Sequence, residues 1–117
     1  MAVRLKTPRH WSYEEALAIF PVVRDLTADA VQQVEALARE IENTEAGSTH
    51  REELETSHQA IVEQWSREIE GLGLAVKGLW LVDWDCGDGY YCWRYPEASL
   101  AHFHGYEEGF ANRVPIN

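Results

Sequence analysis

An α+β fold, a long antiparallel helical hairpin packed on a three-stranded antiparallel β-meander, is what this 117-residue chain predicts. Three observations predict it. Apolar residues recur at steps of three and four over residues 12–72. They alternate with polar ones over residues 79–104. Tight-turn residues, Cys86-Gly87-Asp88-Gly89 and Pro96-Glu97-Ala98-Ser99, divide that second stretch. The length suits one domain over residues 1–117, with an irregular leader over 1–10 and an irregular tail over 105–117.

The first helix is expected to start at Ser12, because Glu15 stands three residues later in a capping-box spacing. Pro21 should interrupt or kink it, since proline lacks the N–H donor and crowds the preceding turn. Phe20, Val23, Thr27, Ala30, Val34, Leu37 and Ile41 continue the helical stripe at coiled-coil steps. Gly47 marks the connection, and Thr49 with Glu52 repeats the capping-box spacing. Leu54, His58, Ile61, Trp65, Glu68 and Leu72 then line a second helix, with Val62 and Ile69 beside them, and Gly71 and Gly73 stop it. A short link between two such helices predicts an antiparallel pair.

In the strands, side chains alternate between two faces. Trp80, Val82 and Trp84 take one face of the first strand, and Asp83 and Asp85 the other. With an even-numbered loop at Cys86–Gly89, Tyr91 and Trp93 join the aromatic face, while Cys92 and Arg94 join the polar one. A two-residue Asp88-Gly89 turn predicts Asp83 opposite Arg94. Phe103 belongs with the aromatic core, which sends His102 and His104 to the polar face. Asp83, Asp85, Cys92, Arg94, His102 and His104 are therefore expected to cluster, with Glu97 at the edge.

That cluster admits three readings. The ordinary one is a half-solvated sheet face with its charges outward. The second is a metal site, in which Cys92, His102 and His104 are competent ligands for zinc or iron. The third is a small-molecule pocket, in which Arg94 holds an anion and Cys92 or a histidine performs chemistry.

Twenty acidic side chains against ten basic ones leave a formal charge of −10, which repels nucleic-acid backbones. The basic residues Arg4, Lys6 and Arg9 are close together only at the N-terminus. No apolar run reaches membrane-spanning length, the N-terminus lacks the apolar stretch of a secretory signal, and two cysteines make no disulfide framework. Cytoplasmic location and no resident cofactor are the resulting expectations.

The order of motifs resembles a bacterial family catalogued as domain of unknown function 2203. "WSYEEA" stands for an aromatic-Ser/Thr-x-Glu-Glu-Ala segment, in slightly shifted form. Val82-Asp83-Trp84 matches a Val-Asp-aromatic triplet, and Cys92-Trp93-Arg94 a Cys-Trp-Arg triplet. Glu97, Phe103-His104 and Gly109-Phe110-x-x-Arg113 complete the pattern. Asp85 stands where the pattern has proline, Pro96 where it has glycine, and Cys86 and His102 lie outside it. The resemblance singles out Asp83, Cys92, Arg94, Glu97, His104 and Arg113. It implies no established activity.

Two functional expectations follow. The first is a non-enzymatic interaction or scaffolding domain acting as a homodimer through apolar helix surface that outruns the sheet. The second is a small-ligand- or metal-binding protein, in the limit an enzyme, that uses the polar sheet face for a small anionic ligand or an ion.

Overall fold

The structure is a computed structural model that describes residues 9–116. Helix α1 (Tyr13–Glu42) and helix α2 (Thr49–Gly71) precede strands β1 (Ala75–Gly78), β2 (Leu81–Asp85), β3 (Tyr90–Arg94) and β4 (His102–His104). A short 3₁₀ turn (Phe110–Asn112) and strand β5 (Val114–Pro115) close the chain. The strands form one antiparallel sheet in the order β1-β2-β3-β4-β5. The fold is α+β as expected, with five strands rather than three. The extra two flank the meander. β1 is short, and β5 has only two residues, the second a proline, so neither carries enough alternation to register in the sequence. Of the predicted leader, residues 1–8, and with them Arg4 and Lys6, lie outside the described residues.

Helix α1 starts as its cap dictates. Ser12 Oγ accepts from the Glu15 N–H, and the Glu15 carboxylate accepts from the Ser12 N–H. Pro21 does not interrupt it: the helix runs unbroken through residue 42. Pro21 and Leu17, four residues earlier, both sit on the exposed side. The carbonyl that loses its donor there can turn to water. The cap of α2 is Ser48, whose Oγ accepts from the Arg51 N–H, not Thr49. The stripe residue on α2 is Ile69 rather than the exposed Glu68.

The aromatic face of the sheet meets the helices. Val82, Trp84 and Trp93 are fully buried with Phe20, Val23, Trp65 and Ile69. Phe20 meets Trp93 edge-on at 5.4 Å, and Trp65 meets Trp80 edge-on at 4.8 Å. Trp80 lies in the β1–β2 turn, not in a strand, with a left-handed φ of 59°. Such a conformation costs a bulky side chain about 1–2 kcal/mol, and packing on Trp65 holds it. Trp11, placed in sequence at the edge of the leader, is a core residue at 5% exposure. Its N–H donates to the Asp85 carbonyl at 2.7 Å and its indole to the Gly73 carbonyl at 3.3 Å.

One polar contact joins the helices inside this core. The Trp65 indole N–H donates to Thr27 Oγ1 at 2.8 Å, and Thr27 Oγ1 donates to the Val23 carbonyl at 2.7 Å. Thr27 is fully buried. Replacing Thr27 by valine keeps the shape and strands the indole N–H. The expected loss is about 1–3 kcal/mol of unfolding free energy, read by urea denaturation. An unchanged midpoint would mean that the contact carries no stability.

Candidate functional site

The register sets which polar residues become neighbours. Asp83 pairs with Cys92 and Cys92 with His102, so these three form one row across β2, β3 and β4. Asp85, Tyr90 and His104 form the next row. Arg94 stands opposite Leu81, not Asp83. The hairpin turn explains the difference: Cys86 N–H donates to the Gly89 carbonyl at 2.9 Å, so the two-residue turn is Gly87-Asp88. Gly87 takes the positive φ of 92° that a mirror-image turn needs at its first position. The even parity survives and the face assignment with it, but each partner moves by two residues. Gly89 is needed for closeness: a Cβ there would come 2.5 Å from the His104 carbonyl.

The centre of the polar face does not look out on water. Asp83 is 1% exposed, Cys92 1% and His104 4%. The segment after β4 folds back over them. Tyr106 Oη donates to Asp85 Oδ1 at 2.6 Å, and the Gly105 N–H donates to Glu108 Oε1 at 3.0 Å. Arg113 closes the segment with two bonds to Glu97, Nη1 to Oε1 at 2.9 Å and Nη2 to Oε2 at 2.6 Å. Phe110 lies beneath two guanidinium groups, Arg113 at 4.0 Å and Arg94 at 5.3 Å from its ring centroid. Of the tail over residues 105–117, expected to be irregular, the described residues 105–116 build a roof and add a strand.

Beneath that roof, His104 is held from both sides. Its Nδ1 lies 2.9 Å from the Gly105 carbonyl oxygen, which can only accept, so Nδ1 donates. Its Nε2 lies 2.8 Å from Asp83 Oδ2, with one proton between them. Asp83 Oδ1 has no hydrogen-bond partner and is buried. One ligating atom each from Asp83, Cys92 and His104 fall within 4.8 Å of one another. Beside them opens a cleft of about 300 Å³, with Asp83 and His104 in its lining, and Lys77, Tyr90, Tyr106 and Phe110 among its walls. The Lys77 ammonium sits 4.4 Å over the Tyr90 ring.

Protonation follows the geometry. Burial pushes the Cys92 thiol up to about 12, and the neighbouring Asp83 charge adds to this, while Arg113 opposes it. A thiol so protonated and enclosed is a poor nucleophile, and the imidazole nitrogen that could relieve it of its proton is engaged by Asp83. Burial would raise Glu97, but its bonds from Arg113 and the Arg94 N–H outweigh this and hold it below the usual carboxylate value. Glu97 raises Arg113 in return, against the opposing effect of burial. Asp85 is likewise lowered, with the Tyr106 hydroxyl and the Gly87 N–H outweighing burial.

The residues singled out in sequence thus separate. Asp83, Cys92 and His104 converge; Glu97 and Arg113 pair with each other at the edge of the roof; Arg94 is exposed and stacks on Phe110. His102 is not in the converging set, although it neighbours Cys92 across the strands. Its Nδ1 is buried without a partner. Lys77, the Gly105 carbonyl and Tyr106 were missing from the sequence reading. Lys77 lies before the predicted meander, and a backbone carbonyl has no sequence signal.

The family described as "Uncharacterized conserved protein (DUF2203)" matches residues 9–116. The chain belongs to that family. No curated protein and no solved structure matches the chain. The family match spans both helices, the sheet and the roof, so the buried polar face lies wholly within it. Among the described residues, no helix is long and apolar enough to cross a membrane.

The Glu97–Arg113 pair generates a pH prediction. A carboxyl lowered in the folded state stabilises fully above its ordinary value of 4.5 and loses that contribution as pH falls through its folded value. Acidification below about pH 4.5 should therefore loosen the roof. Glu97→Gln should cost about 1–3 kcal/mol at neutral pH and flatten the acid limb of the stability profile. Equal acid sensitivity in parent and variant would assign that limb to other carboxyls.

Proposed function

We propose that this protein is a binding domain whose ligand site is the polar sheet face beneath the C-terminal roof. One observation carries the reading: the cleft meets a buried Asp83–His104 pair whose Asp83 Oδ1 has no partner. A buried carboxylate oxygen without a donor is costly to the fold. A ligand that enters the cleft and satisfies it accounts for its retention. The same geometry disfavours a cysteine nucleophile, because Cys92 is enclosed and its thiol is driven toward the neutral form by burial. The cations around the face are already partly committed. Arg113 is held by Glu97, which leaves Lys77, on the cleft wall, as the group placed to meet an anionic ligand.

A second reading concerns the helices, taken as an antiparallel hairpin. Val34, Leu37 and Ile41 on α1 are only half-buried, and a groove of about 360 Å³ between the helices is lined in part by Leu26, Ile61 and Trp65. This supports the homodimeric interaction surface expected from the stripe, with a second copy covering the unpartnered stretch. The binding site and the dimer are independent of each other, and a soluble, cytoplasmic setting suits both.

Two measurements check these readings. If the polar pair is kept for binding, replacing both partners by leucine (Asp83→Leu with His104→Leu) should leave the unfolding free energy within about 1 kcal/mol of the parent or raise it, since an apolar pair needs no partners. A loss above about 3 kcal/mol would make the pair architectural. For the second reading, light scattering at micromolar concentration should give twice the 13.4 kDa mass of the chain. A clean monomer would remove it.

A further inference from the structure

We propose that Asp83, Cys92 and His104 bind one divalent transition-metal ion of the zinc and ferrous class, with a coordination position left open to the cleft. This deepens the reading of the roofed face as a binding site and rests on it. Four features of the site point to an ion rather than to an ordinary buried polar cluster.

The donors are the first. A soft thiolate and a borderline imidazole beside one hard carboxylate make a mixed donor set that suits zinc or ferrous iron and not calcium or magnesium, which take oxygen donors throughout. They come from three adjacent strands, β2, β3 and β4, so the backbone ladder holds them in place. Orientation is the second. The Gly105 carbonyl accepts a hydrogen bond from His104 Nδ1–H, which turns Nε2 toward Asp83 and Cys92. A metal-ligating histidine characteristically makes this outer hydrogen bond, because it sets the tautomer and the ring direction.

The third feature is the unpartnered Asp83 Oδ1, on a residue 1% exposed. An ion on the Asp83 carboxylate offsets the buried charge that this oxygen leaves without a donor. The fourth is spacing. Bonds of about 2.0–2.3 Å set tetrahedral donors about 3.3–3.8 Å apart. The His104 Nε2–Asp83 Oδ2 pair, at 2.8 Å, must open by about half an ångström, and the widest donor separation, up to 4.8 Å, must close by about one. Side-chain rotations of this size need no change in the sheet.

The balance of charge also closes. Before binding, the thiol holds its proton and one proton lies between His104 and Asp83. Binding releases both, leaving a thiolate, a carboxylate and a neutral imidazole around a doubly charged ion. The site exchanges two protons for two positive charges, and its net charge does not change. Three protein donors leave a four-coordinate ion one position short. Asp83 and His104 line the cleft while Cys92 does not, so that position faces the cleft. Water or a donor atom of a ligand can fill it, within reach of the Lys77 wall. His102 is excluded from the set, which separates this site from the Cys92–His102–His104 trio expected from sequence.

The test uses the full chain without a histidine tag. Zinc added with a competing chelator should bind at one equivalent per chain. Cobalt(II) in its place should give a thiolate-to-cobalt charge-transfer band in the near ultraviolet. Cys92→Ser should abolish that band and weaken zinc binding about 100-fold or more, and Asp83→Asn by about 10–100-fold. Cys86→Ser and His102→Gln should leave both readouts within about threefold of the parent, well inside the effect expected for a lost ligand. Less than about a tenth of an equivalent after supplementation overturns the ion, as does a band that survives Cys92→Ser and vanishes with Cys86→Ser. Failure of the ion with a stable Asp83→Leu, His104→Leu double variant leaves the binding face in place. Failure with a destabilised double variant removes both.

Discussion

The paired bonds between Arg113 and Glu97 are the constraint on which the polar half of the molecule depends. They tie the end of the chain to the turn after β3 and pull Phe110 over the sheet. Without this roof, Asp83, Cys92 and His104 would be solvated side chains on the outer face of an antiparallel sheet, as such faces ordinarily are. With it, they sit in a low-dielectric interior, where every donor and acceptor matters. The burial that drives the Cys92 thiol upward has the same origin. So does the cost of the lone Asp83 oxygen.

The other half of the molecule obeys a different rule. Trp84, Trp93 and Val82 face the helices with no exposed surface, and their partners are mostly apolar. Polar atoms on this side are few: the Trp65 indole bonds Thr27, the Trp11 and Trp93 indoles bond backbone carbonyls, and the Trp84 indole N–H is buried without a partner. One sheet therefore separates a conventional core from a polar chamber. The helices serve the first and contribute nothing to the cleft lining. This division of labour makes a site on the polar face and an interaction surface on the helices compatible in one small domain.

Much of this was legible in the chain because side-chain periodicity is local. The helical stripe placed Phe20, Val23, Thr27 and Ala30 in the core, and alternation sent Trp84 and Trp93 to one face and Asp83 and Cys92 to the other. Parity is robust to an error of two residues, so the faces came out right although the Asp83–Arg94 pairing did not. What failed was register, which the turn at Gly87-Asp88 sets; at Pro21 the structure excludes the interruption, one of the two outcomes expected there. Trp11 was missed because its anchors, Asp85 and Gly73, are remote in sequence.

By itself the sequence determined the α+β class, the capped start of α1, the two faces of the central strands and the identity of the polar residues worth following. Each of these depends on neighbours within a few positions. Tertiary structure alone decided that the polar face is enclosed, that His104 rather than His102 joins Asp83 and Cys92, and that Arg113 latches to Glu97 while Arg94 stays outside. These outcomes depend on where a short segment lands after leaving the last long strand. Its landing is set by a guanidinium–carboxylate pair sixteen residues apart and by a ring against two cations. No periodicity encodes such contacts, because they follow from three-dimensional complementarity and not from spacing along the chain.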